Sequence, residues 1–156
     1  EHTRNAEWLI RQAHTALVIA TSGGSSAMWI KGGHNGYTYY NDIWYSVNGA
    51  NWTQVIPSNT HWSPRTFHSG VVYDNRMWVI GGRDGSSSFN DVWYSSDGVI
   101  WTKATNPNAA WEARRVHGST VFDNKVWVIG GFTGSFQYKN DVWYAGEEKV
   151  YLYNNF

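Results

Sequence analysis

Cysteine is absent from the 156 residues, which removes disulfide scaffolds, thiol catalysis and cysteine-ligated zinc while leaving the redox compartment open. Charge is scarce too: 15% of residues carry it, with twelve basic against twelve acidic groups and a formal net charge of zero. Without a basic field nothing neutralises a phosphate backbone, so nucleic acid is not an expected partner. No apolar run approaches the roughly 20 residues of a membrane-spanning helix. Walker-type phosphate loops are missing, and no serine sits in Gly-x-Ser-x-Gly or beside a distinctive His/Asp arrangement. No catalytic residue and no cofactor are therefore expected. What is abundant is aromatic: 17% of the chain, with eleven Trp. A chain opening on Glu1 is expected to be a processed or trimmed product. Low Lys with plentiful Trp, Asn, Ser and Gly leads to the expectation of an extracellular or cell-surface protein.

The aromatics fall into a repeat. Asn41-Asp42-Ile43-Trp44-Tyr45-Ser46 returns as Asn90-Asp91-Val92-Trp93-Tyr94-Ser95 and as Asn140-Asp141-Val142-Trp143-Tyr144-Ala145, at offsets of 49 and 50 residues. A glycine pair precedes each copy: Gly32-Gly33, Gly81-Gly82 and Gly130-Gly131. Upstream lies Trp-x-x-Arg-x-x-His, as Trp8/Arg11/His14, Trp62/Arg65/His68 and Trp111/Arg114/His117. A period near 50 residues signals stacked supersecondary units. Each unit reads as four short strands, in the second at about 67–73, 76–82, 90–95 and 99–104. Asp74-Asn75 separates two apolar runs, and Asp97-Gly98 joins the third and fourth strands, as Asn48-Gly49 does in the first unit. Such dipeptides adopt positive φ readily and are strong hairpin signals. Four-stranded antiparallel units at this period are propeller blades, so the fold class is all-β, a β-propeller with blades at about 8–56, 62–105 and 111–153 of a single domain.

The glycine pair closing an apolar strand, the following Asn-Asp-Val-Trp and the later Trp resemble the Kelch repeat of Kelch and galactose-oxidase-type propellers. Ser95-Ser96-Asp97-Gly98-Val99-Ile100-Trp101 also resembles the Asp-box turn of sialidase-like propellers, one residue shorter. The resemblance covers nearly the whole chain and implies fold rather than activity. The copper oxidases of this class use a Tyr crosslinked to Cys, and no Cys is present. Two departures stand out. His14 to Gly32 spans 18 residues against 13 in the other units, the excess being the Gly/Ser-rich Thr21–Ser26. The third unit ends Gly146-Glu147-Glu148-Lys149-Val150-Tyr151 in place of the Asp-Gly turn.

Propellers close with about four to eight blades, and three leave two apolar blade faces open, which soluble monomers rarely tolerate. A homodimer completing six blades is the expected solution. A larger assembly, a filament or surface layer, is the structural alternative.

Chain alternation places the connections between blades and the loops 34–40, 83–89 and 132–139 on one side. Those loops differ most between units, as expected where a rigid frame carries function on its loops. Ligand-binding candidates on that side are Trp8, Arg11, His34, Tyr37, Tyr39, Trp62, Arg65, Arg83, Trp111, Arg114, Phe136 and Tyr138. Their aromatic, amide and hydroxyl groups suit carbohydrate or peptide. The expected function is a non-catalytic binding scaffold. Glycan hydrolysis is the lesser reading, since it asks several arginines to converge on one carboxylate.

Several residues have a plainer role in view. Trp29, Trp78, Trp127, Trp44, Trp93 and Trp143 are expected in the core, and Trp8, Trp62 and Trp111 recur as packing would require. Asp42, Asp91 and Asp141 cap backbone amides or pair with the repeated Arg. His14, His68 and His117 sit on different blades, too far apart for the ~2 Å ligand distances of zinc. The sequon Asn51-Trp52-Thr53 lies on the opposite face.

Overall fold

The computed structural model describes residues 6–21, 23–104, 109–146 and 149–154. Ser22, the end of the second unit at residue 105, and Glu147-Glu148 lie outside the described residues. All described regular elements are strands. The first sheet holds β1 (Thr15–Ala20), β2 (Ser26–His34), β3 (Tyr39–Ser46) and β4 (Thr53–Val55). The second holds β5 (Val72–Tyr73), β6 (Arg76–Ile80), β7 (Val92–Ser95) and β8 (Thr102–Lys103). The third holds β10 (Gly118–Phe122), β11 (Lys125–Thr133), β12 (Tyr138–Gly146) and β13 (Lys149–Asn154), with β9 (Arg114–Arg115) paired to the end of β11. Neighbours in the chain are neighbours in each antiparallel sheet. These are the three four-stranded blades that the repeat predicts, and β13 completes the third despite its altered turn.

Local chemistry sets the turns. Asp74-Asn75 and Asp123-Asn124 all hold φ near +50°, the two-residue turn whose twist matches the flanking strands. Asp97-Gly98 behaves differently from a two-residue hairpin. β7 ends at Ser95 and β8 begins at Thr102, so the dipeptide is the corner of a six-residue loop. Asp97 Oδ1 accepts from the amides of Val99 and Ile100, while Ser95 Oγ accepts from Asp97 and Gly98. Side-chain acceptors thus replace the ladder, an Asx-type solution that only the loop's three-dimensional path selects. The first blade closes its β1–β2 hairpin with a Thr21–Ser25 loop, bonded from Thr21 N to Ser25 O at 2.8 Å, which is the lengthened hairpin that the Gly/Ser stretch predicts.

The glycine pairs end the inner ladder. Gly81 and Gly82 have φ of 55° and 95°, and a Cβ on Gly82 would lie 2.7 Å from His68 Cβ and 2.8 Å from the Thr66 carbonyl oxygen. Only glycine accommodates both the dihedral and the approach. Equivalent pairs shift the register between Lys31 and Gly33 and between Ile129 and Gly131, turning the chain out of the sheet toward the variable loops.

The core occupies the two layers between blades. Trp29 and Ile43 of the first blade pack against Met77, Val79, Trp101 and Trp62 of the second. Trp78, Ile80 and Val92 of the second pack against Val126, Val128 and Trp111 of the third. Burying each such side chain contributes about 1.5–3 kcal/mol, so the layers hold the blades in a fixed order around the propeller axis.

Candidate binding face

Arg11, Arg65 and Arg114 lie under the variable loops, but they do not face solvent. Each guanidinium grips its own blade's Asp through two bonds: Arg11 to Asp42 at 2.6 and 2.8 Å, Arg65 to Asp91 at 2.6 and 2.9 Å, Arg114 to Asp141 at 2.6 and 2.8 Å. Each also donates to the carbonyl of the first glycine of its pair, Gly32, Gly81 or Gly130. The same Asp accepts from the indole N–H of Trp44, Trp93 or Trp143. The Arg65 plane lies 4.3 Å over the Phe89 ring, as Arg11 lies 4.5 Å over Tyr40. Burial pushes the Asp91 carboxyl up, yet Arg65's hydrogen bonds and charge, with the Trp93 N–H, hold it below the usual carboxylate range.

The expectation that these arginines meet a ligand is therefore corrected: their side chains are at most 1% exposed. A buried guanidinium requires the pairing, and a planar five-donor fork satisfies Asp and carbonyl together. With each arginine held by its own blade, the three do not converge as a sialidase-type clamp. Trp62 and Trp111 are likewise withdrawn from the contact list, being fully buried. Trp8 is half-buried against Trp52 in an edge-on contact with centroids 6.0 Å apart.

What does reach solvent, wholly or in part, is the rest of the candidate list and four residues that the sequence reading missed. Tyr37, Phe136 and Tyr138 are exposed. His34 stacks on Tyr39 at 5.7 Å and meets Phe67 at 5.8 Å. Tyr39 reaches across to the loop of the second blade, where its ring packs at Gly85. The missed residues are Ala13, Phe67, Val116 and Arg115. The first three precede the repeated His and share φ of 53°, 53° and 57°, a region that costs a branched or bulky residue free energy. Neighbouring blades impose it: Phe67 N donates to Ala13 O and Val116 N to Phe67 O. These bonds run from blade to blade and leave Phe67 and Val116 exposed. No signal in the sequence singles them out, since every x position of Trp-x-x-Arg-x-x-His varies between the units.

Two further cations belong to this face. Arg83 donates to its own loop, to the carbonyls of Asp84 and Gly85. Arg115 donates to Ser88 Oγ and lies 4.6 Å over Phe132. Burial, then the neighbouring Arg83 charge, hold the Arg115 guanidinium below its ordinary value. Neither forms an ion pair among the described residues. His34 Nδ1 accepts from Gly36 N, which leaves its proton on Nε2 in the neutral ring, and that buried Nε2 has no partner among the described residues. The surface thus offers cations and apolar rings together.

The repeated histidines are staples between blades. His68 Nε2 meets Thr15 Oγ1 at 3.0 Å and His117 Nε2 meets Ser69 Oγ at 2.7 Å. Desolvation, then the Arg114 charge, push His117 down to about 4, and burial likewise holds His68 well below its ordinary value. Both rings are neutral at physiological pH. Among the described residues no three His, Cys, Asp or Glu groups gather as a metal site. On the opposite face Tyr45, Asn48, Asn51 and Thr53 line a shallow polar groove with no convergent charge.

A comparison with curated proteins gives no match. Residues 2–148 match the model of the KLHDC2/KLHL20/DRC7 Kelch-repeats domain. With the glycine pairs, the Arg–Asp–Trp units and the three blades in place, the chain belongs to this Kelch-repeat family, whose domains are protein-interaction propeller scaffolds and generally non-catalytic.

Proposed function

We propose that the loop face captures a peptide segment presenting a carboxylate beside an apolar side chain. The observation that carries this reading is the pairing of Arg83 and Arg115, two neighbouring cations that form no salt bridge among the described residues and have only the Asp84 charge acting on Arg83, with the strained, exposed row of Phe67 and Val116. A carboxylate satisfies a guanidinium fork at two points. An apolar side chain beside it covers Phe67. Carbohydrate is the second reading, favoured by the exposed rings of Tyr37, Phe136 and Tyr138.

A random displayed-peptide library panned on the protein tests the first reading. The expected consensus carries an acidic group next to an apolar residue. Phe67→Gly relaxes the left-handed backbone and removes the ring, so it is expected to keep or raise the melting temperature while weakening the selected peptides about tenfold (roughly 1.4 kcal/mol). Arg83→Ala with Arg115→Ala abolishes the acidic preference. Peptides that bind the wild type and both variants equally reject this face.

A further inference from the structure

We propose that the Asn35-Gly36 turn is a self-modifying site, where the Gly36 amide nitrogen attacks the Asn35 side chain, His34 acts as general base, and Asn35 is converted to aspartate. The change is covalent, lies within the chain itself and is independent of any ligand.

Asn-Gly occurs twice in the sequence, at Asn35-Gly36 and at Asn48-Gly49, both in the first blade. A glycine leaves the nitrogen after the asparagine without a shielding side chain. Around Gly36 the space is open, since a Cβ there would meet nothing within 4 Å. Asn35 and Gly36 are both exposed, so water reaches the reacting carbon.

The groups that such an attack needs surround it. Gly36 N donates to His34 Nδ1 at 3.1 Å, which sets an imidazole lone pair on the proton that must leave before the nitrogen can attack. A base within hydrogen-bond reach of that proton meets the geometric requirement for catalysis. Stacking on Tyr39 at 5.7 Å and contact with Phe67 at 5.8 Å hold the ring in place. Asn35 Oδ1 accepts from Tyr37 N at 3.0 Å and from Thr38 N at 2.8 Å. Backbone donors are thus aimed at the oxygen on which negative charge develops, the arrangement of an oxyanion hole.

The steps balance without an oxidant or a cofactor. Gly36 N bonds to Asn35 Cγ, its proton passes to His34 Nδ1, and Oδ1 takes the charge. The Cγ–Nδ2 bond then breaks, Nδ2 takes the proton from the ring, and ammonia leaves. Water opens the succinimide that remains. Opening at Cγ gives aspartate, and opening at the backbone carbonyl gives isoaspartate.

Neighbouring turns show what His34 adds. Asn48 Oδ1 also accepts from two amides, Ala50 N and Asn51 N, each at 2.9 Å. There Gly49 N donates to Ser46 Oγ, a hydroxyl that accepts a hydrogen bond but no proton near neutral pH. In the second blade Asp84 stands where Asn35 does and accepts from Ser86 N and Ser87 N at 2.8 and 2.7 Å. Aspartate therefore fits this turn, and the conversion adds a carboxylate to the loop face.

Incubating the full chain at neutral pH and mapping its proteolytic peptides by mass spectrometry tests the proposal, with Asn48 as internal control. Asn35 is expected to convert about a hundredfold faster than Asn48, the low end of what a positioned general base contributes. Position 35 already converted in fresh protein, with Asn48 intact, supports the proposal equally. In unfolding urea the two rates are expected to converge. His34→Phe keeps a ring between Tyr39 and Phe67 and is expected to slow Asn35 to near the Asn48 rate without moving Asn48. His34→Gln repeats the loss of the base with a polar side chain. Asn35 converting no faster than Asn48 overturns the proposal, and so does a difference that persists in urea, where only sequence neighbours act. An Asn35 rate untouched by both variants, or a slowing shared with Asn48, removes His34 as the base.

Discussion

The layer between the first and second blades and the layer between the second and third share a backbone plan, yet one of them buries a cation. Where Ile80 fills the second layer at 1% exposure, Lys31 fills the first at 0%. The Lys31 ammonium has the Trp78 carbonyl oxygen at 3.4 Å and the Trp101 ring at 5.8 Å. No ion pair to it is found among the described residues. Desolvation pushes its pKa down from 10.5 to about 7. A carbonyl and a ring quadrupole compensate a buried ammonium only in part. The comparison teaches that the blade-to-blade shape is set by the aromatic and aliphatic frame, which is strong enough to absorb one unfavourable group.

The sharpest way to break the difference is to transplant it. Ile80→Lys puts a cation into the second layer and is expected to destabilise the protein by about 4 kcal/mol, read as a lower urea midpoint. The reverse change, Lys31→Ile, makes the two layers alike and is expected to stabilise by about 4 kcal/mol at neutral pH, since each pKa unit between 10.5 and about 7 is worth about 1.4 kcal/mol. Its pH signature separates charge from packing. Between about 7 and 10.5 the unfolded chain holds the lysine proton and the folded chain does not, so wild-type stability rises with pH across that window and the full penalty acts below it. Urea titrations at several pH values should show this rise in the wild type and a flat profile in Lys31→Ile. A smaller effect probes the histidine staples. Ser69→Ala removes the 2.7 Å bond to His117 and is expected to cost about 1 kcal/mol, with less from Thr15→Ala at the half-buried first layer. Equal and negligible effects would show that the staples add nothing to either layer.

Much of this frame was legible. The recurrence of Trp44, Trp93 and Trp143 beside Asp42, Asp91 and Asp141 marked the unit, and the Gly-Gly pairs marked where each ladder ends. The site was less so. Arg65 was read as facing a ligand because its position in the chain lies under the loops, although its pairing with the repeated Asp was also in view; the bond to Asp91, 26 residues later, decides between the two. Phe67 and Val116 were missed for a related reason. Nothing about a Phe or a Val announces a left-handed backbone, and here a hydrogen bond from the preceding blade enforces it. Arg115 and Arg83 became neighbours only because β9 pairs with β11 and reaches Ser88.

The repeat alone determined the number of blades in these residues, their antiparallel order and the core places of Trp29 and Trp78, because period, glycine pairs and apolar runs are local properties of the chain. The tertiary structure alone decided which arginines are buried in ion pairs and which reach the loop face, which non-glycine residues carry strain, and that Lys31 is desolvated. Each of those depends on groups tens of residues away brought within a few ångströms, where burial and hydrogen-bond partners, not residue type, set the energy.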